Sequence, residues 1–297
     1  GSAVIDADAN LSNVAEATST VAESEPVRAR INNDVVQAVN LNKTGDGLTV
    51  GEDLALDADA VSNQQATAST IGSPGGTDQA AEAEVANDDR ILGIANTRVE
   101  VGHDVSQFTV SSRLDAEATA NNMSGAATAR AGVGDGAAVR GLDDGNGEAL
   151  QIGGSATNGL RFEAVSNLDA QAITVEDQAE AYAGSETADG SGVATLESDV
   201  AALHTSAVKV GGSAGTISAT TTSNLTATAQ TNGTDSGNQD AIAQVAQEAD
   251  GLVNSAVTVG YDGNVNATST LNGTAIASNI GQTETDVDDA IARLTLD

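Results

Sequence analysis

One short pattern recurs along the whole chain and constrains the fold more than any other feature. It reads apolar-x-apolar-Gly, and its copies begin at Leu48, Val99, Leu150, Val208 and Val257. The copies are therefore about 50 residues apart, a period typical of proteins in which each unit packs on its neighbours. We predict a single elongated repeat domain spanning residues 1–297, with approximate units 1–47, 48–98, 99–149, 150–207, 208–256 and 257–297.

Two further segments recur downstream of this pattern. One has the form Ser-x-Leu-x-Ala-x-Ala, as in SNLTATA from Ser223, and the other alternates small residues, as in AIAQVAQ from Ala241. Strict alternation predicts β-strands, because successive side chains point to opposite faces of a sheet. The polar, Gly-rich breaks after Ile71 and Thr231, and YDGN after Val259, favour hairpin loops. Each unit is thus predicted to hold four short strands joined mostly by hairpins.

The predicted fold class is all-β, with a repetitive architecture that is either solenoid-like or built of stacked hairpin units, in about six repeats of about 50 residues. The competing interpretation is helical, because Ala-rich stretches such as the one from Asp240 have good helix propensity. The abundance of Thr, Ser, Asn, Gly and Val across the copies favours strands.

The kind of hydrophobic residue favours a linear stack over a closed ring. Aromatic residues make up 1% of the chain, and Trp is absent. The blades of a propeller splay outward and need large side chains between them, whereas Ala, Val, Ser and Thr let sheets lie close together over a long distance. A six-bladed propeller with a ligand or an enzymatic function is therefore the weaker alternative.

The net charge of −32 bounds the partners of the protein. Such a surface repels nucleic acid and anionic membranes and attracts cations. No apolar run approaches the length of a membrane-spanning helix, and no basic-then-apolar leader precedes the first residue. Without cysteine, disulfides and thiolate metal sites are excluded. We predict the mature form of a secreted protein, located outside the cell or on the cell surface.

Few residues could carry out acid–base catalysis near neutral pH. The two histidines, His103 and His204, lie at unrelated positions of different repeats, and His103 is predicted to be a solvated turn residue. No phosphate-binding loop, dinucleotide-binding glycine motif, HExxH or GxSxG pattern occurs. We predict that the chain is not an enzyme.

Pairs of aspartates are the candidate metal ligands. They lie two residues apart and so share one face of a strand. Ca²⁺ is the one cofactor that they suggest, although a solvated acidic face explains them as well, because no EF-hand pattern occurs. The predicted metal residues are Asp6, Asp8, Asp57, Asp59, Asp286 and Asp288.

Seven Asn-x-Ser/Thr sequons are compatible with glycans on an exported protein. In a chain so rich in Asn, Ser and Thr, many of them arise by chance. They are at Asn10, Asn42, Asn122, Asn224, Asn232, Asn266 and Asn272.

The terminal segments predict how the chain assembles. Neither terminus shows the polar capping repeat that usually closes a linear stack, and the last segment alternates apolar residues almost to its end. We expect the subunit of an extracellular filament, fibre or surface matrix, with itself as partner in a head-to-tail homopolymer. The expected interface residues are Ala3, Val4, Ile5, Leu294 and Leu296.

Two ways of aligning the termini remain open. In the first, residues 2–4 begin a whole unit. In the second, one unit is divided between the two termini, and the terminal LTLD stands for its apolar-x-apolar-Gly strand. The alternative function is a monomeric adhesin, or a cation-binding or ice-binding β-repeat module. Ice binding needs a regular Thr-x-Thr ladder, and Thr220 and Thr222 find no match when the sequence copies are aligned.

Overall fold

A computed structural model of the 297-residue chain describes residues 1–20, 25–32, 35–41, 47–71, 79–86, 90–123, 125–133, 137–143, 149–175, 177–184, 198–233, 239–280 and 289–296. In these ranges the regular structure is entirely β. The strands are β1 (Ala3–Ser19), β2 (Val27–Asn32), β3 (Val36–Asn40), β4 (Leu48–Val50), β5 (Leu54–Thr70), β6 (Ala81–Ala86), β7 (Arg90–Ala95), β8 (Val99–Val101), β9 (Val105–Asn122), β10 (Ala127–Val133), β11 (Ala137–Asp143), β12 (Leu150–Ile152), β13 (Leu160–Thr174), β14 (Ala179–Ala183), β15 (Ser198–His204), β16 (Ala207–Val210), β17 (Thr216–Thr231), β18 (Ala241–Val253), β19 (Ala256–Val259), β20 (Asn264–Asn279) and β21 (Ala290–Leu296).

The strands form three sheets, and every strand pair between described residues is parallel. The long sheet has the order β1-β5-β9-β13-β17-β20, and the short sheet has the order β19-β16-β12-β8-β4. The third, double sheet has two wings that share β18. Its first wing holds β2, β6, β10, β14, β18 and β21, and its second wing holds β3, β7, β11, β15 and β18.

This pairing corrects the predicted fold class. The units are not stacked hairpins, because β19 and β20, which flank the expected YDGN hairpin, pair with β16 and β17 instead of with each other. Each strand bonds to its own copy one repeat away, since equal alternation places alanine on alanine at every level. The chain visits the long sheet, the first wing, the second wing and the short sheet in turn, which is the path of a parallel β-solenoid. The loops expected at 72–78 and 234–238 lie outside the described residues.

Two apolar clusters fill the space between the sheets. The cluster beneath the first wing is mostly alanine, which lets the long and double sheets approach closely. The cluster beside the short sheet contains Leu, Ile and Val together with Phe108 and Phe162, whose ring centroids are 5.8 Å apart. Small side chains thus fill the side where two sheets meet, and larger ones fill the side where three sheets meet.

Core volume is conserved within each level of the long sheet. In β9 the core-facing pair at the centre of the strand is Leu114 and Ala116, whereas in β13 it is Ser166 and Leu168, and the register pairs Ser166 with Leu114. One large and one small side chain are present in both cases, in opposite order. The Ser-x-Leu motifs of neighbouring copies are therefore not all in register, and some are offset by two residues.

A glycine ladder explains the apolar-x-apolar-Gly motif. The motif glycine follows a strand of the short sheet, and the N–H of Gly153 donates to the carbonyl of Val101 at 2.7 Å. A Cβ on Gly153 would lie 2.4 Å from the carbonyl oxygen of Gly102, so the close stacking of this corner excludes a side chain. The ladder consists of Gly51, Gly102, Gly153, Gly211 and Gly260.

The last strand settles the place of the closing segment. Leu294 pairs with Val245 of β18, in the first wing, so LTL does not stand for a strand of the short sheet. Ala290, at the start of the same strand, pairs with Ala241, where the segment AIAQVAQ begins. Among the described residues, no helix is long and apolar enough to cross a membrane.

Candidate functional site

The first level of the long sheet is formed by β1, which has a neighbour on one side only among the described strands. It pairs with β5 over its whole length and shows strict in–out alternation. Of the predicted interface residues, Ala3 and Ile5 pack against the core cluster beside the short sheet. Val4 points outward and is 86% exposed. The three residues thus lie together on an edge strand, on two different faces.

Four of the predicted metal residues lie together on the outer face of the first two levels, two on β1 and two on β5. The register places Asp6 beside Asp57 and Asp8 beside Asp59. The side-chain amide of Gln107 donates to Asp57 at 3.2 Å, and the hydroxyl of Ser111 donates to Asp59. Burial, together with the neighbouring carboxylates of Asp59, Asp6 and Asp8, raises the pKa of Asp57 above its ordinary value.

Among the described residues, no group of three or more ligating side chains is placed to hold a metal ion. The outer faces of two adjacent strands present the four aspartates side by side. Metal binding by these residues stays a prediction. The other predicted ligands, Asp286 and Asp288, lie outside the described residues.

The opposite end is formed by β20 in the long sheet and β21 in the first wing. β20 is a 16-residue strand without any charged residue or proline, and β17 is its only partner among the described strands. Gly273 leaves a gap in its core-facing row, which Leu294 and Leu296 of β21 fill. These two leucines face the core but are 50% and 38% exposed, because no described strand lies above them.

The two halves of the solenoid differ in height. The long sheet and the first wing have six levels of described strands, whereas the second wing and the short sheet have five, ending at β18 and β19. At the last level the described strands are therefore β20 and β21 alone, and they project as a ledge beyond β18 and β19. We call the strands β20 and β21 the terminal ledge.

An amide ladder crosses the outer face of the long sheet, and sequence reasoning missed it. The Nδ2 atom of each member donates to the Oδ1 atom of the previous one, at 2.6 Å from Asn167 to Asp115, 2.8 Å from Asn224 to Asn167 and 2.9 Å from Asn272 to Asn224. Such ladders add to sheet stability. Aligning the long strands by their distance from the preceding motif glycine, instead of by their Ser-x-Leu motifs, would have shown the ladder.

The amide ladder lies in a shallow groove that also contains carboxylates. Glu117 and Asp169 are neighbours on adjacent strands and line this groove. Burial, followed by the charge of Glu117, raises the pKa of Asp169 above its ordinary value. The groove therefore offers hydrogen-bonding groups and negative charge to a ligand.

Threonines form a second array on the outer face. Thr220 and Thr222 of β17 pair with Thr268 and Thr270 of β20, so the Thr-x-Thr motif is matched in one neighbouring strand. β17 is also free of charged residues. On the other side of β17, Thr220 and Thr222 pair with Glu163 and Val165, so the expected lack of a match holds for that copy but not for β20.

A buried ion cluster lies on the second wing. The guanidinium of Arg140 donates to Asp143 at 2.7 Å and to Asp199 at 2.6 Å, and His204 Nδ1 lies 3.5 Å from Asp143. Burial alone would raise the pKa of Asp143, but hydrogen bonds from His204 and Arg140 outweigh it and hold the pKa below its ordinary value. The cluster joins β11 to β15 as a structural clamp. His103 is exposed in the turn after β8, as predicted.

One of the predicted sequons is inaccessible in the fold. Asn122 is buried, and its amide donates to the carbonyls of Gln79 and Ala126. Asn224 and Asn272 belong to the amide ladder, and Asn42 lies outside the described residues.

Comparison with known proteins adds no relative. The chain matches no known protein family, no curated protein and no solved structure.

Proposed function

We propose that this chain is the structural subunit of an extracellular filament, fibre or surface matrix, and that copies associate head to tail through their end levels. The observation that carries the proposal is the terminal ledge, a long uncharged edge strand beside two half-exposed core leucines. Natural proteins usually protect sheet edges with charges, proline or bulges, and an unprotected edge is a template for another strand. Main-chain hydrogen bonds and small-residue packing would then continue across the subunit boundary.

The acidic composition supports an exposed setting. A net charge of −32 keeps subunits soluble and repels nucleic acid, while leaving β20, which carries no charged residue, as the attractive surface. The absence of cysteine fits a fibre held together without disulfides. Secretion, glycans on accessible sequons, a Ca²⁺ requirement and the lack of catalytic activity remain predictions.

Removing the last strand tests the proposal. A chain lacking residues 290–297 loses β21 and with it Leu294 and Leu296, so we expect soluble monomer by light scattering and negative-stain microscopy. Since a truncated chain can unfold, the double variant Leu294→Asp with Leu296→Asp is the second test. Thr258→Asp on β19, the last strand of the short sheet, is the matched control and should assemble normally. Filaments that persist unchanged in both ledge variants contradict the proposal.

The threonine array favours a second function, binding to ice. Parallel pairing spaces its hydroxyls by about 4.8 Å across strands and about 6.7 Å along them, a regular two-dimensional lattice. The two strands carry no charge in a chain that is 18% charged, so nothing on this face holds a strongly ordered hydration shell.

Thermal hysteresis measures this second function directly. If the face binds ice, the unmodified protein lowers the freezing point below the melting point, and Thr222→Lys removes most of that gap. Thr119→Lys, on the outer face of β9, is the matched control and should leave it unchanged. A protein without thermal hysteresis rejects ice binding without bearing on assembly.

A further inference from the structure

We propose that a second copy adds its β1 to β20 and its β2 to β21, both in parallel, in the register that places the second copy's Asp8 beside Thr268. This inference rests on the proposed head-to-tail function and specifies its interface. This arrangement of the two copies repeats the translation along the solenoid axis that relates neighbouring levels inside the chain.

The core-facing rows of the two edge strands fit each other in this register. Within the chain, Ile5 pairs with Leu56, and Ile217 of the same row pairs with Val265. Applying the same translation to the second copy places its Ile5 beside Val265 and its Leu11 beside Leu271. The alanines at positions 7, 15 and 17 then meet those at 267, 275 and 277, so alanine again packs on alanine.

The outer face gives the acidic residues of β1 the donors that they lack. No described residue donates a hydrogen bond to the carboxylates of Asp6 or Asp8, whereas Asp57 and Asp59 receive bonds from Gln107 and Ser111 on the next strand. In the proposed register Asp6 lies beside the amide of Asn266 and Asp8 beside the hydroxyl of Thr268. β20, which carries no charged residue, therefore complements the acidic first strand.

The amide ladder also continues across the boundary. Asn272 donates its amide to Asn224, so its own Oδ1 atom is the acceptor that the ladder would offer to a following strand. Ser12 of the second copy occupies the following position of this row and can donate its hydroxyl to that oxygen. A slip by two residues would break this contact and misalign the corners, since the second copy's β1 and β2 move as one body.

The first wing contributes one unfavourable contact. Arg30 shares a row with Glu84, and Arg293 shares the same row at the other end of the chain. The second copy's Arg30, which is bonded to its own Glu84 at 2.7 Å, therefore lies beside Arg293. The two copies are in contact only at the ledge. Next to β18 and β19, one level is left without a described strand from either copy.

Cysteine cross-linking tests the register, and the native chain has no cysteine to interfere. Asp8→Cys with Thr268→Cys places two thiols on neighbouring parallel strands, at a Cα separation of about 4.8 Å that a disulfide spans. Within one chain these strands are five levels apart, about 24 Å, so every disulfide joins two copies. We expect a ladder of covalent oligomers on non-reducing gels after oxidation of the filaments.

The control pair is Asp8→Cys with Thr270→Cys, which is out of register by two residues and should give little oligomer. As an independent test, Arg293→Glu replaces the like-charge contact by an ion pair and should lower the concentration needed for assembly several-fold. Filaments that cross-link equally in the control pair, or that Arg293→Glu leaves unaffected, overturn the register but leave head-to-tail assembly standing. A chain that forms no filaments overturns both.

Discussion

At the scale of single residues, two kinds of substitution are restricted most strongly. The motif glycines stack so closely that a Cβ at Gly211 or Gly260 would lie 2.6 or 2.1 Å from the previous glycine's carbonyl oxygen. In the core, a large residue in one sheet faces a small one in the other, as Leu168 faces Gly132. The sequence shows that these glycines recur. The steric reason for their recurrence becomes visible only when the copies are stacked in parallel.

The first prediction concerns this ladder. Gly153→Ala should lower the free energy of unfolding by about 1–3 kcal/mol, because the new methyl group overlaps the Gly102 carbonyl. Gly51→Ala is the matched control, since a Cβ there would have no heavy atom closer than 3.9 Å. Chemical denaturation of both variants measures the difference, and equal stability of the two would contradict a steric role for the ladder.

At the scale of the strands, the sequence pattern predicted strands correctly, but the hairpin partners predicted for them were wrong. Alternation in SNLTATA correctly indicates that Leu225, Ala227 and Ala229 face the core. It does not distinguish a hairpin partner from a copy one repeat away, because both present the same small residues. Asp6 and Asp8, like Asp57 and Asp59, lie on one face of their strand as predicted, whereas the amide ladder and the Arg140 cluster depend on register and remained hidden.

The second prediction is that the amide ladder stabilises the long sheet. Asn224→Asp removes the donor to Asn167 and sets a carboxylate beside its Oδ1 atom, so the free energy of unfolding should fall by about 1 kcal/mol. Asn266→Asp, on the outer face of β20, makes the same chemical change outside the ladder. If both variants lose the same stability, the ladder contributes nothing of its own.

At the scale of the whole molecule, charge and end geometry act together. The carboxylates with a raised pKa, Asp57 and Asp169, bind protons more tightly in the folded chain than in the unfolded one. Burial, followed by the charge of neighbouring carboxylates, disfavours their charged forms, and this destabilisation is relieved as the pH falls from neutrality toward their ordinary pKa of 3.8. Asp143, whose pKa is lowered, stabilises the fold above 3.8 and loses that contribution below it.

The third prediction follows from these opposite signs. Stability should rise as the pH is lowered from 7, pass through a maximum near about pH 4 and then fall as Asp143 is protonated. Denaturation midpoints measured across this range test it. A stability that only decreases on acidification would show that the repulsion among outer-face carboxylates is unimportant.

The assembly of copies along the solenoid axis is the central claim, and fibre diffraction of the purified protein tests it most directly. Head-to-tail stacking places the strands perpendicular to the fibre axis, so aligned filaments should give a meridional reflection at about 4.8 Å. Monomers alone by negative-stain microscopy, or filaments with this reflection on the equator, would contradict the account.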